Sequence, residues 1–179
     1  LHPILHSARD ELTANTVLAR AGLDSLARYS EHLDDIVRRI YLSARDCTDT
    51  PVVLVALGGY GRKQLCLHSD IDLLLLFAEP IGSAEEQFLK SMLHPLWDLR
   101  LDVGHHLREI ADLEQPDINN PEFLVSLLEA RYLDGDTALF EQLTRICNSS
   151  KAPWRDPILK ALLNLIEQRH AQFNRTLYQ

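Results

Sequence analysis

The sequence predicts an α/β (α+β) fold, a small sheet flanked by helices, and three observations carry that expectation. Two runs, VVLVAL at 52–57 and DIDLLLLF at 70–77, are too apolar for half-exposed strands and read as strands covered on both faces. The segments around them repeat apolar residues at helical intervals. Later the chain alternates: in LDVGHHLRE, Leu101, Val103, His105 and Leu107 share one side and Asp102, Gly104, His106 and Arg108 the other, a third strand.

The elements come in this order along the chain. Residues 12–47 are rich in helix formers, with Leu23, Leu26, Leu33, Ile36, Val37 and Ile40 at helical spacing, and predict two amphipathic helices packed on the core domain. A polar break at 48–51 ends in proline and leads into the first strand. GGYGRKQLCLHS is a turn region between the first two strands. Residues 83–99 predict a helix through Phe88, Met92 and Leu96 that Pro95 kinks or interrupts. After the third strand, residues 112–120 read as a polar turn. Pro121 then opens a helix, PEFLVSLLEARYL, and DGD separates it from another at 137–147. Beyond the linker NSSKAPWRDP, a last helix runs from 158 to at least 173. The expected division is a helical lead-in at 1–50, a core at 51–112 and a helical segment at 113–179.

Composition narrows the function classes. The chain has 179 residues and a formal charge of −8, with no basic block, which argues against a nucleic-acid partner but leaves room for a nucleotide in a local site. Its longest apolar runs fall far short of the ~20 residues that span a bilayer, so no membrane is expected. Cys47, Cys66 and Cys147 are scattered and odd in number, a usage that suits a reducing cytoplasm. His2, His6, His68 and His94 have no zinc spacing. The chain starts at Leu1 rather than methionine and stops inside a helical pattern, so a piece of a longer protein is expected.

The chemistry concentrates in the strand, turn and strand of residues 52–77. Asp70 and Asp72, two residues apart on a strand, project to one face, and two carboxylates at one spot repel unless a divalent cation removes the penalty. Magnesium takes oxygen ligands and binds through one or two carboxylates plus substrate phosphates. Gly58, Gly59 and Gly61 supply backbone N–H groups able to converge on an anion, and Arg62 and Lys63 add charge. A third oxygen ligand would position a second metal and assist deprotonation of the attacking group; Asp102, on the polar face of the third strand, is the candidate and Asp98 the fallback. His105 and His106 face opposite ways and cannot easily share an ion. Glu129 and Arg131, an acid and a base inside the helix predicted from Pro121, read more readily as packing residues than as substrate contacts.

These residues resemble the nucleotidyltransferase superfamily that includes DNA polymerase β, whose signature is hG[GS], about ten residues, then Dh[DE]h; here it stands as LGG and DIDL. The likeness narrows with ALGGYGR, HSDIDLLLL, LWDLRLDVGHHLRE, LLEARYLDGDTALFEQL and QRHAQFNRTLYQ in that order. Together they resemble the amino-terminal part of bacterial [protein-PII] uridylyltransferase/uridylyl-removing enzymes, from about Leu23 to the last residue. The resemblance implies a polymerase-β-like fold with a small mixed sheet, followed in the parent chain by HD and ACT domains. It implies transfer of UMP from UTP to a tyrosine of the PII nitrogen signal protein, with Mg²⁺ or Mn²⁺. Asp70, Asp72 and Asp102 would hold metal and carry catalysis, while Gly58, Gly59, Gly61, Arg62 and Ser69 would bind the nucleotide. Two rivals stay open: an adenylyltransferase-like enzyme of the same fold, and a degenerate nucleotide-binding or interaction module. The family usually reads GGYGRGEL and EVGHS, where this chain has Lys63 and Gln64 and, further on, Asp102 and His106.

Overall fold

A computed structural model describes residues 1–18, 22–114, 120–148 and 155–172. The elements run α1 (His2–Val17), α2 (Leu23–Ala44), β1 (Val52–Ala56), α3 (Gly58–Gly61), β2 (Ile71–Phe77), α4 (Ser83–Asp98), β3 (Val103–Glu109), α5 (Ile110–Glu114), α6 (Pro121–Ser126), β4 (Arg131–Gly135), α7 (Thr137–Asn148) and α8 (Arg155–Gln172). Among the described residues they form one four-stranded sheet in the order β3-β2-β1-β4. β1 is antiparallel to both β2 and β4, whereas β2 and β3 are parallel, so the sheet is mixed, as expected. The helix α4 provides the crossover that parallel β2 and β3 require.

The unbroken apolar runs are explained by two covered faces. Val52, Leu54, Ala56, Ile71, Leu73, Leu75 and Phe77 point to one side and pack with residues of α1, α2 and α4, such as Leu12, Leu33, Ile36, Phe88 and Met92. Val53, Val55, Leu57, Leu74 and Leu76 point to the other and meet Phe123, Leu124, Leu139 and Leu143 of α6 and α7. Alternate residues of β1 and β2 thus enter different cores, and no position on either strand tolerates a polar side chain until Asp72. The helical lead-in shares the first of these clusters with the sheet.

Four expectations change. The segment expected as one helix from Pro121 stops at Ser126, makes a 3-10 turn at Leu127–Glu129, and becomes the edge strand β4. Its composition favours helix, but the exposed edge of β1 offers a ladder of unpaired backbone groups, and tertiary pairing overrides local preference. The polar turn expected at 112–120 begins as part of α5, and 115–119 lie outside the described residues. α4 runs through Pro95 without ending. The last helix starts at Arg155 and is described to Gln172, so the expected Phe173 lies outside the described residues.

Candidate functional site

The acid pair sits where β2 begins. Strand register sets Asp72 beside Gly104 of parallel β3, and the Ile71 N–H donates to the Asp102 carbonyl at 2.9 Å. Continuing that register places Asp102 next to Asp70, just ahead of both strands. Asp72 and Gly104 share the sheet face that carries Leu74 and Leu76, while Ile71 and Leu73 turn into the opposite core.

Two glycines frame the Asp72 carboxylate. Gly58 takes a φ of +54°, and a Cβ there would stand 3.2 Å from Asp72 Oδ2; on the other side a Cβ on Gly104 would stand 2.3 Å from Asp72 Oδ1. A side chain at Gly104 would have no room beside the carboxylate, and one at Gly58 would crowd it by a few tenths of an ångström. Asp72 is half-buried and Asp70 exposed. Burial, and then the charge of Asp70, push the Asp72 carboxyl above the ordinary aspartate range. A cation between the two would reverse that second penalty, so the donor set fits a hard divalent ion whose remaining ligands come from phosphate and water.

The glycine segment is a single helical turn rather than an open loop. α3 closes with Gly61 N–H donating to the Leu57 carbonyl at 2.8 Å, and the N–H groups ahead of it have no partner four residues back within the helix. Gly59 is half-buried beside the Arg62 guanidinium. Gly61 has a different setting: it is buried, and a Cβ there would run into the Glu129 carbonyl, so this glycine permits a close backbone approach to the chain entering β4.

Arg62 pairs with the Glu129 carboxylate and donates to Gln64 Oε1 at 3.2 Å. Lys63 adopts a φ of +57°, the conformation that suits the glycine implied by the family resemblance, and its Nζ meets Glu31 at 2.7 Å. Ser69 is exposed; its Oγ accepts from the Cys66 N–H at 3.3 Å. The structure therefore gathers Asp70, Asp72, Gly58 and Gly59 at one end of the sheet. It does not gather Asp102 into a three-ligand group: Asp102 is exposed, and among the described residues no cluster of three His, Cys, Asp or Glu side chains could hold a metal ion. Asp98 ends α4 and is also exposed.

Sequence reasoning missed Gly104, although a glycine inside a strand signals a close approach. Arg131, expected as a packing residue inside a helix, packs as expected but opens β4. Its guanidinium binds both oxygens of buried Asp34 on α2, at 2.7 and 3.0 Å, and donates to the Tyr60 and Gly61 carbonyls at 3.0 Å each. It also lies over the Tyr60 ring, 5.4 Å from its centre. This clamp joins the lead-in, α3 and β4, and so fixes the turn that meets Asp72. His106, one pleat beyond Gly104, lies tilted against the Phe123 ring with centroids 4.4 Å apart, and burial pushes its pKa below the usual histidine value.

No protein-family model matches the chain. Curated relatives do. The chain is 30% identical over 155 residues, 87% of its length, to a bifunctional uridylyltransferase/uridylyl-removing enzyme of Pasteurella multocida. It is 32% identical over 181 residues, 98% of its length, to the protein of that name from Nitrosospira multiformis. A shorter stretch of 106 residues is 42% identical to the one from Methylococcus capsulatus, covering 59% of this chain and 12% of that protein. The family resemblance carried by the motifs thus extends over most of the chain, and the chain spans 18% and 20% of the length of the first two relatives. A crystal structure of a toxin-antitoxin with AMP-PNP covers 79% of this chain and 95% of its own, at 14% identity and a TM-score of 0.41.

Proposed function

We propose that this chain, homologous to part of the bifunctional uridylyltransferase/uridylyl-removing enzymes, is a metal-dependent nucleotidyltransferase unit that moves UMP from UTP to a tyrosine of a PII-type signal protein and releases pyrophosphate. The observation that carries the reading is the Asp72 carboxylate, seated between Gly58 and Gly104, beside Asp70 and directly above the glycine turn. Similarity to proteins named as uridylyltransferases supports the reaction class and favours uracil as the base.

In this reading Asp70 and Asp72 hold Mg²⁺ or Mn²⁺. Bound there, the ion would neutralise phosphate charge and polarise the α-phosphate toward attack. The backbone N–H groups at Gly58 and Gly59, with Ser69, seat the β- and γ-phosphates, and Arg62 lies beside Gly59 where it can balance the charge of the leaving pyrophosphate. Gly61 serves from behind, by letting Glu129 and Arg131 lock the turn. Asp102 stands next to Asp70 in register, on the side away from the turn, and takes the phenolic proton as the tyrosine oxygen attacks. The remainder of the longer protein would carry the HD and ACT domains. Among the described residues no helix is long and apolar enough to cross a membrane, and a cytoplasmic setting is part of the same proposal.

The test is transfer of label from α-phosphate-labelled UTP to PII, with Asp72→Asn and Asp102→Asn beside the unmodified chain. Label on a PII tyrosine, dependent on Mg²⁺ and lost in Asp72→Asn, is the expected result. Preferential labelling from ATP would favour the adenylyltransferase reading, and Asp72→Asn with undiminished transfer would refute the site.

A further inference from the structure

Arg62 follows the glycine turn, and its guanidinium is held by two of its three nitrogens. Nη1 pairs with the Glu129 carboxylate, and Nε donates to Gln64 Oε1 at 3.2 Å. The third nitrogen, Nη2, meets no acceptor among the described residues and lies 3.9 Å from where a Cβ on Gly59 would stand. Gly58, one residue earlier, borders the Asp72 carboxylate, so the acid and this uncovered edge of Arg62 flank two successive glycines. Lys63 does not share the position, because its Nζ is drawn to Glu31 on α2 at 2.7 Å.

Both partners of Arg62 are anchored to the turn. The Gln64 N–H donates to the Gly59 carbonyl at 2.9 Å. Glu129 ends the 3-10 turn ahead of β4, with its own carbonyl packed against Gly61. Two residues on, Arg131 grips the Tyr60 and Gly61 carbonyls and Asp34, so the main chain that carries Glu129 is pinned in place. An ion pair this open to solvent, with Arg62 44% and Glu129 33% exposed, adds little to stability. Its effect is on direction: an untethered arginine spreads over many rotamers, and fixing Nε and Nη1 leaves one orientation for Nη2. Glu129 leaves the edge beside Gly59 uncovered, so it aims the guanidinium without occupying the place of an anion.

We infer that Glu129 is a positioning residue for the nucleotide: it holds Arg62 so that the free guanidinium edge grips the β- and γ-phosphates of a nucleoside triphosphate seated at the glycine turn. The inference rests on the proposed nucleotidyl transfer and deepens it. A carboxylate 67 positions away from Arg62 becomes a determinant of affinity for triphosphate over monophosphate. Phosphate oxygens match the planar fork of donors that arginine presents.

The test is calorimetric titration, in Mg²⁺, of UTP, UMP and inorganic tripolyphosphate into the unmodified chain, Glu129→Ala, Glu129→Gln, Arg62→Ala and the double variant Arg62→Ala/Glu129→Ala, with thermal melting to confirm that each is folded. Glu11→Ala, which removes the acid of the exposed pair with Arg28, reads the gain that any anion enjoys when a chain of charge −8 loses a carboxylate. Glu129→Ala is expected to bind UTP and tripolyphosphate about tenfold more weakly, the loss of one charge-assisted hydrogen bond. Glu129→Gln recovers most of that loss, since its amide oxygen still accepts from Nη1, and the double variant binds no more weakly than Arg62→Ala. UMP, which lacks both outer phosphates, shows no change. Undiminished or tighter triphosphate binding by Glu129→Ala, or losses that add in the double variant, overturns the inference. Equal weakening of UMP and UTP also overturns it, because the substitution would then disturb the site at large. Tripolyphosphate binding that depends on Arg62 and Glu129, in a chain that binds UTP no better, would sustain the pair and reject the uridylyltransferase reading; binding of neither by the unmodified chain overturns both.

Discussion

Adding one methyl group at Gly104 tests the site more sharply than deleting an acid, because it leaves every charged group in place. A Cβ at this position would stand 2.3 Å from Asp72 Oδ1. Reaching ordinary contact requires the carboxylate, or the β3 backbone beneath it, to move by about 1 Å, given that non-bonded atoms settle at roughly 3.5 Å. A misplacement of about 1 Å in a reacting constellation costs on the order of 10²-fold in rate. Gly104→Ala is therefore expected to lower the rate of UMP transfer about a hundredfold, with overpacking of ~1–3 kcal/mol in stability. Gly22→Ala is the control, since nothing lies within 4 Å of a Cβ there. Transfer rates at saturating Mg²⁺ and UTP, read beside urea denaturation of each variant, separate the two effects. Gly104→Ala with unaltered transfer would show that the position of the Asp72 carboxylate does not matter to the reaction.

Three further perturbations exploit the same geometry. Asp72 has a folded-state pKa above its unfolded value, so its contribution to stability is full below the ordinary aspartate pKa and is lost as pH rises through the folded one. Asp72→Asn should thus melt higher than the unmodified chain at neutral pH without metal, while losing transfer; a lower metal-free melting temperature would contradict the account. Lys63→Gly and Lys63→Ala both remove the ion pair to Glu31, but only glycine relieves the left-handed backbone at φ +57°, so urea titration should find the glycine variant more stable by about 1 kcal/mol. Arg131→Ala strands Asp34, which is 3% exposed, and should cost about 3–5 kcal/mol in the same assay, against well under 1 kcal/mol for an exposed pair such as Arg28 with Glu11.

Much of the fold was legible because period and burial agree. The central strands are apolar on both faces and are covered on both faces, and the alternation of LDVGHHLRE assigned Val103 and Leu107 to one core and Gly104 and His106 to the opposite face. The positions of Asp70 and Asp72 on one face come from strand geometry alone. What escaped was long-range. β4 is composed like a helix and becomes a strand only because β1 presents an edge some 75 residues earlier in the chain, a pairing that carries no local signal. Arg62 and Glu129 are 67 positions apart, and Arg131 and Asp34 are 97 apart. No spacing rule links such pairs. Gly61 looked like its neighbours in the turn, yet its requirement comes from the Glu129 backbone. Lys63 stands where the family usually has glycine, and the backbone keeps the glycine-like conformation regardless.

The central claim is that the carboxylates and the glycine turn together bind a metal-bound nucleoside triphosphate with uracil preferred. Thermal unfolding tests it most directly, with Mg²⁺ plus UTP, ATP, CTP or GTP, on the unmodified chain and Asp72→Asn. A ligand at a hundredfold excess over its dissociation constant stabilises the folded state by ~2.7 kcal/mol. The account predicts a Mg²⁺-dependent rise of that size, largest with UTP and absent in Asp72→Asn. An equal rise in the mutant, or no rise with any nucleotide, would contradict it.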